Sequence, residues 1–175
     1  HLPLQSGSGA VLEGMGRPYT PGNYRRAVSL AREMVPGVAV TTDVMVGFPG
    51  EGEAEFLESL QFCREVGFAR VHVFHYSPRP GTPAASMPQV DRHTADQRTR
   101  LMLAEASTLN RRFERGHVGR VVPVLWEKES SPGVWSGLAS GYLRAFTHSY
   151  RPLWGVITPA RLEGPAQGGL WATVL

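Results

Sequence analysis

The chain has 175 residues, 42% of them hydrophobic, with a net charge of +3 and a single cysteine. That length holds one domain, or a small one with an added module, around a real core. No apolar run approaches the ~20 residues that span a bilayer. Cys63 alone forms no internal disulfide, so a cytoplasmic setting without a membrane partner is the expectation. Residues 91–175 carry eleven basic and seven acidic groups, against seven and eight in residues 1–90. Nearly all the cations are Arg, which suits phosphate contacts and equally a solvated surface. The chain opens inside an element, without an initiator Met, as a piece of something longer would.

In chain order, His1–Gln5 reads as a short buried strand, with Gln5, Ser6 and Ser8 at its exit and Pro3 interrupting regular pairing. Residues 11–19 read as a short helix and turn. Thr20-Pro21 caps the next helix. Tyr24, Ala27, Val28 and Ala31 share one face of it, extended by Met34 and Val35. Pro36-Gly37 ends it. Residues 38–46 form the central strand, covered on both sides, in which Asp43 is either a satisfied buried group or a ligand contact. The Gly47-Phe48-Pro49-Gly50 turn follows, and Glu51, Glu53 and Glu55 open a helix whose dipole favours them. Strand, glycine turn and helix start are the parts of a ligand site at the carboxyl end of a parallel strand. Phe56, Leu60 and Cys63 repeat on the buried face, so Cys63 is core. Residues 70–76 form a third strand. His72 and His75 point to opposite faces and make no metal pair. The three prolines at 78, 80 and 83 stiffen the loop that carries Arg79. Residues 87–90 link to a long helix over 94–114, with Leu101, Leu103, Ala104, Leu109 and Phe113 as its apolar side and Arg98, Arg100, Arg111, Arg112 and Arg115 around the rest.

From residue 118 the pattern becomes all-β. Five short strands over 119–126, 133–140, 143–146, 154–161 and 169–174, separated by Gly and Pro, fit a small barrel. The boundary is placed at 117/118. The fold class is therefore α/β, a parallel βα layer of half-barrel or open-sheet type, followed by a β-barrel.

Four segments carry a resemblance: His1-Leu2-Pro3-Leu4-Gln5-Ser6-Gly7-Ser8, Arg17-Pro18-Tyr19-Thr20, Thr41 through Glu51, and Tyr76 through Ala84. In order and spacing they are similar to the radical S-adenosylmethionine methylthiotransferases. The final β pattern resembles their RNA-binding TRAM module. Gly9 stands where Asp is usual in that family, and Gly52 where Thr is common. The resemblance implies that residues 1–117 are the C-terminal part of a radical SAM barrel and 118–175 the TRAM barrel. It implies S-adenosylmethionine and [4Fe-4S] clusters as cofactors of the full-length enzyme, with cluster cysteines outside this chain. It further implies tRNA, at the anticodon loop, as substrate, and a reductant and a sulfur source as partners of a monomeric enzyme. No catalytic or metal-ligating residue is expected among these 175.

By the same analogy Gln5, Ser6 and Ser8 bond the ribose or methionyl end. Asp43, Met45, Gly47 and Glu51 match an adenine-packing pattern, with Glu51 one place late. Phe74, His75 and Tyr76 present ring and backbone surfaces to the adenine. Arg79, Arg144 and Arg161 contact substrate. Residues 70–80 look most like the branch that modifies threonylcarbamoyladenosine beside the anticodon. The isopentenyladenosine branch and a non-catalytic RNA-binding scaffold are the alternatives. An unrelated phosphate-binding enzyme lacks its P-loop lysine, since Lys128 is the only lysine and lies in the β module.

Overall fold

Two helix starts in this chain are fixed by side-chain caps. Thr20 Oγ1 accepts the Asn23 N–H at 3.1 Å while Asn23 Oδ1 accepts the Thr20 N–H at 3.0 Å, a reciprocal box that opens α2 (Pro21–Met34). Asp91 Oδ1 takes the Thr94 N–H at 3.0 Å at the start of α4 (Arg92–Arg115). Helix α1 is a short Gly9–Gly14 segment, and α3 (Glu53–Val66) ends at Gly67 with φ 66. The computed structural model describes residues 1–175 and divides into His1–Asn110 and Arg111–Leu175, the division falling inside α4.

In the first unit, strand β1 (Thr41–Val46) pairs in parallel with β2 (Arg70–His75), Val44 opposite Val73 and Met45 opposite Phe74. The expected strand over His1–Gln5 is instead an irregular segment with one bridge, Gln5 to Val44. Pro3 has no N–H to offer, Leu4 N–H goes to Thr42 Oγ1 at 3.0 Å, and Gln5 turns out of extended conformation at φ 65. Side chains alternate between the faces of this small sheet. Thr42, Val44, Val46 and Val71 are buried and pack with Tyr24, Val28, Phe56, Cys63 and Phe68. The opposite face carries Asp43 and Met45, partly buried, and His72 and Phe74, exposed. The expectation of a strand covered on both sides is not met there, because Asp43 and Met45 keep partial exposure and their β2 neighbours are open.

Two helix faces also differ from expectation. In α2 only Tyr24 and Val28 are buried, while Met34 and Val35 at its end are exposed. In α4 the buried line is Ala95, Arg98, Met102, Ala106 and Leu109, and Leu101 and Leu103 face solvent. Steps of three and four residues join that line, whereas the leucines lie off it.

The second unit is a closed antiparallel barrel with one parallel junction, in the order β3-β4-β5-β7-β6. Its strands are β3 (Val121–Ser131), β4 (Val134–Ala139), β5 (Leu143–His148), β6 (Ile157–Ala166) and β7 (Gly169–Val174). All five expected strands are present. Val124, Trp126, Leu143, Ala145, Leu162 and Leu170 fill the interior, and Trp126 Nε1 donates to Thr158 Oγ1 at 2.9 Å. Closure requires two glycines: a methyl at Gly137 would sit 2.4 Å from the Leu125 carbonyl oxygen, and one at Gly169 would sit 2.3 Å from that of Arg144.

Candidate functional site

The three strand tips singled out in the sequence lie side by side. Gln5 N–H donates to Asp43 O at 2.9 Å and Met45 N–H to Gln5 O at 2.8 Å; Tyr76 N–H donates to Val46 O at 2.9 Å. The Phe48 and Tyr76 rings meet edge-on, 5.3 Å between centroids. Beside the tips of β1 and β2 lies an open cavity of about 570 Å³, lined by Met15, Met45, Phe48, Phe74, His75 and Tyr76 together with Arg17, Arg79 and the loop to Ala84. Tyr76 also borders a second cavity of about 540 Å³ with Gly47, His75, Gln89, Arg92 and Asp96. The Tyr76 hydroxyl is buried and has no hydrogen-bond partner within the protein. A buried donor calls for a partner, which water or a bound group would supply.

Other sequence-singled residues are placed differently. Ser6 is fully buried, with Oγ 2.8 Å from Ser59 Oγ, and its neighbours are tied in as well: Gly7 N–H donates to Ser59 Oγ and Ser8 N–H to Ser6 Oγ. These bonds hold the Gln5–Ser8 turn on α3. There a methyl at Gly7 would sit 2.6 Å from Phe62 Cβ. Ser8 Oγ is buried and unpaired. Asp43 sits on the open sheet face, where Oδ2 lies 3.3 Å from His1 Nε2, and His1 Nδ1 lies 2.9 Å from Thr41 Oγ1. Gln5, Ser6, Ser8, Asp43 and Glu51 line neither cavity.

Glu51 holds the glycine turn. Its Oε1 accepts the Gly47 N–H at 2.9 Å and lies 3.2 Å from Arg98 Nη1, which also donates to the Glu51 carbonyl at 2.7 Å. Burial pushes the Glu51 carboxyl above its ordinary range, against the Gly47 hydrogen bond and the Arg98 charge. Arg98 reaches this position from the buried line of α4, with its guanidinium 5.7 Å from the Phe56 ring centroid. Gly47, at φ 78, has Ala95 of the same helix beside it: a methyl there would lie 3.1 Å from Ala95 Cβ. The sequence reading missed Arg98 in this role. Its signal was the three-and-four spacing with Ala95 and Met102. It missed Met15, Arg17 and Phe48 as cavity walls too, which only the chain path brings to the strand tips.

The barrel sorts its aromatics. Trp126 and Trp135 are interior; Tyr142, Tyr150 and Trp154 are exposed. Arg144, Phe146 and His148 alternate along β5, and Trp171 of β7 stands opposite Phe146 in the register. The His148 and Trp171 rings stack, 5.0 Å apart and 8° from parallel. Arg144 Nη1 is 2.5 Å from Glu127 Oε2, whereas Arg161 is exposed and unpaired.

An apolar, aromatic-lined cavity with an unpartnered buried hydroxyl fits an adenosyl-sized group. An iron–sulfur cluster does not fit. Cys63 is fully buried in the core, burial raises its thiol to about 12, and no three His, Cys, Asp or Glu side chains gather to hold a metal.

The chain thus holds an α/β unit with an open cavity at its β1 and β2 tips and a small closed barrel with aromatics and arginines on its outside. No protein-family model matches the chain. Its sequence is 43% identical over 139 residues to the tRNA-2-methylthio-N(6)-dimethylallyladenosine synthase of Erythrobacter litoralis, covering 78% of this chain and 31% of that protein. It is 46% identical over 126 residues to the enzyme of the same name from Thermobifida fusca, covering 71% and 26%. For that of Paracoccus denitrificans it is 40% over 146 residues, covering 83% and 33%. The chain spans about a third or less of the length of these curated relatives. The likeness supports the tRNA methylthiotransferase family. It corrects the expected branch: these relatives are named for dimethylallyladenosine, not threonylcarbamoyladenosine. Within the residues that suggested the latter, Val71 and Val73 pack in or against the core, so their identity follows packing and not substrate choice.

Proposed function

We propose that this chain is part of a tRNA methylthiotransferase that adds a methylthio group to isopentenyladenosine, the dimethylallyl nucleoside for which its relatives are named. In this reading the first unit is the later part of a radical SAM barrel, and residues 118–175 are its TRAM module. The observation that carries it is the cavity lined by the tips of β1 and β2, in a chain 40–46% identical to enzymes of that name. The open sheet face with Asp43, Met45, His72 and Phe74 is compatible with the inward face of a partial barrel.

Met45 and Phe74 flank the adenine of S-adenosylmethionine, and Tyr76 and His75 offer it polar edges. Gln5 lies at the neighbouring tip for the ribose or methionyl end, outside both cavity linings, and Ser8 is fully buried. Ser6, Gly47 and Glu51 act from behind, by fixing the two turns. S-adenosylmethionine supplies the radical chemistry of the family when bound. The cluster, its reductant and the sulfur source belong to the part of the enzyme outside these residues. Phe146, Trp171 and His148 on the barrel offer stacking surfaces to tRNA bases, with Arg144 and Arg161 beside phosphates. A cytoplasmic setting goes with that substrate.

The test is a mass-spectrometric digest of tRNA from a deletion strain. Loss of the methylthio group from isopentenyladenosine is expected, with that on threonylcarbamoyladenosine intact; the reverse pattern overturns the substrate. On the isolated chain, Phe74→Ala is expected to weaken S-adenosylhomocysteine binding about tenfold or more by calorimetry, given an aromatic wall worth about 1.5–3 kcal/mol.

A further inference from the structure

The cavity at the strand tips carries two cations that nothing inside the protein neutralises. Arg17 enters from the turn after α1, where Gly16 takes φ 67 and the Arg17 N–H donates to Leu12 O at 2.9 Å. Arg79 enters from the opposite loop, between Pro78 and Pro80. Its carbonyl there accepts both the Thr82 N–H at 3.2 Å and the Thr82 hydroxyl at 2.8 Å. Both backbones are therefore anchored while both side chains are exposed. Arg25, Arg64, Arg92, Arg98 and Arg144 each find a carboxylate; Arg17 and Arg79 find none. No Asp or Glu lines the cavity that these two border, and its remaining wall is largely apolar: Met15, Met45, Phe48 and Phe74.

We propose that Arg17 and Arg79 form a phosphate-binding pair at the mouth of this cavity. They would hold the phosphodiester backbone of an RNA nucleotide at the cavity mouth, outside the Met45 and Phe74 wall assigned to the adenine. The proposal rests on the reading of the chain as an RNA-modifying enzyme. A guanidinium fork matches two phosphate oxygens, and two such forks on separate, stiffened loops position a nucleotide without reading its base. The exposure of both side chains favours a backbone that stays half in solvent over the carboxylate of an enclosed cofactor, which would call for a buried partner.

The experiment uses the whole chain with two probes, an anticodon stem-loop RNA and S-adenosylhomocysteine. It compares the wild type with Arg17→Gln, Arg79→Gln and the double variant. Both positions are exposed, so the fold is expected to persist, checked by circular dichroism. Each substitution should weaken RNA binding and flatten the dependence of log affinity on log salt by about 0.7, with S-adenosylhomocysteine affinity unchanged. Two results overturn the pair: RNA affinity and salt slope that do not move, or loss of S-adenosylhomocysteine with RNA retained, which would assign the arginines to a carboxylate. Either leaves the proposed function standing if the wild type binds both probes. A wild type that binds neither removes both readings.

Discussion

Cys63 shows how burial alone can decide what a side chain does. It is fully buried among the apolar residues of α3 and the sheet, and burial raises its thiol from 9.0 to about 12. A protonated, enclosed thiol is neither a nucleophile nor a metal ligand. Iodoacetamide is expected to leave it unmodified in the native protein and to alkylate it in urea; native labelling would contradict this packing. Because the folded value is the raised one, its contribution to stability is complete below about pH 9 and is lost as pH rises toward 12. The spacing of Phe56, Leu60 and Cys63 made this fate legible. That of Ser6 was not, since its partner Ser59 is 53 positions away.

At the scale of elements, α4 and the Gly47 turn depend on each other through Arg98. Removing the cation leaves the Glu51 carboxylate buried without its counter-charge. Arg98→Met is therefore expected to cost about 3–5 kcal/mol in urea unfolding. Glu51→Gln keeps an acceptor for the Gly47 N–H, so the double variant Glu51→Gln/Arg98→Met should lose less than Arg98→Met alone. Additive losses would show that the two groups act independently. At α2, Thr20→Ala should cost about 1 kcal/mol, measured the same way, because the Asn23 N–H loses its acceptor. The Thr20 cap could be read from the sequence, as its partner is three residues on. The burial of Arg98 escaped reading because its charge argued for the surface while its position in the three-and-four line argued for the core.

For the whole molecule, barrel closure and chemistry make separate demands. Gly169→Ala is expected to disrupt the barrel, as its methyl meets the backbone of Arg144 and not a side chain that could move; an unchanged thermal transition would refute that. The 175-residue chain alone should bind S-adenosylmethionine without cleaving it, since one enclosed thiol provides no cluster site. Release of 5′-deoxyadenosine by the isolated chain would overturn this.

What the sequence determined by itself is local. Caps, turn glycines and strand periodicity are set by neighbours within a few positions, and they named the five barrel strands. The motif segments pointed to the family, although not to its branch. Tertiary structure decided the rest. It turned the His1–Gln5 strand into a single bridge, left one face of β1 partly exposed, and sent Trp126 inward and Trp154 outward. It also brought Arg17 and Arg79 to one cavity from loops about sixty residues apart. Such outcomes depend on which distant surface a side chain meets, and that encounter leaves no period in the sequence to be read.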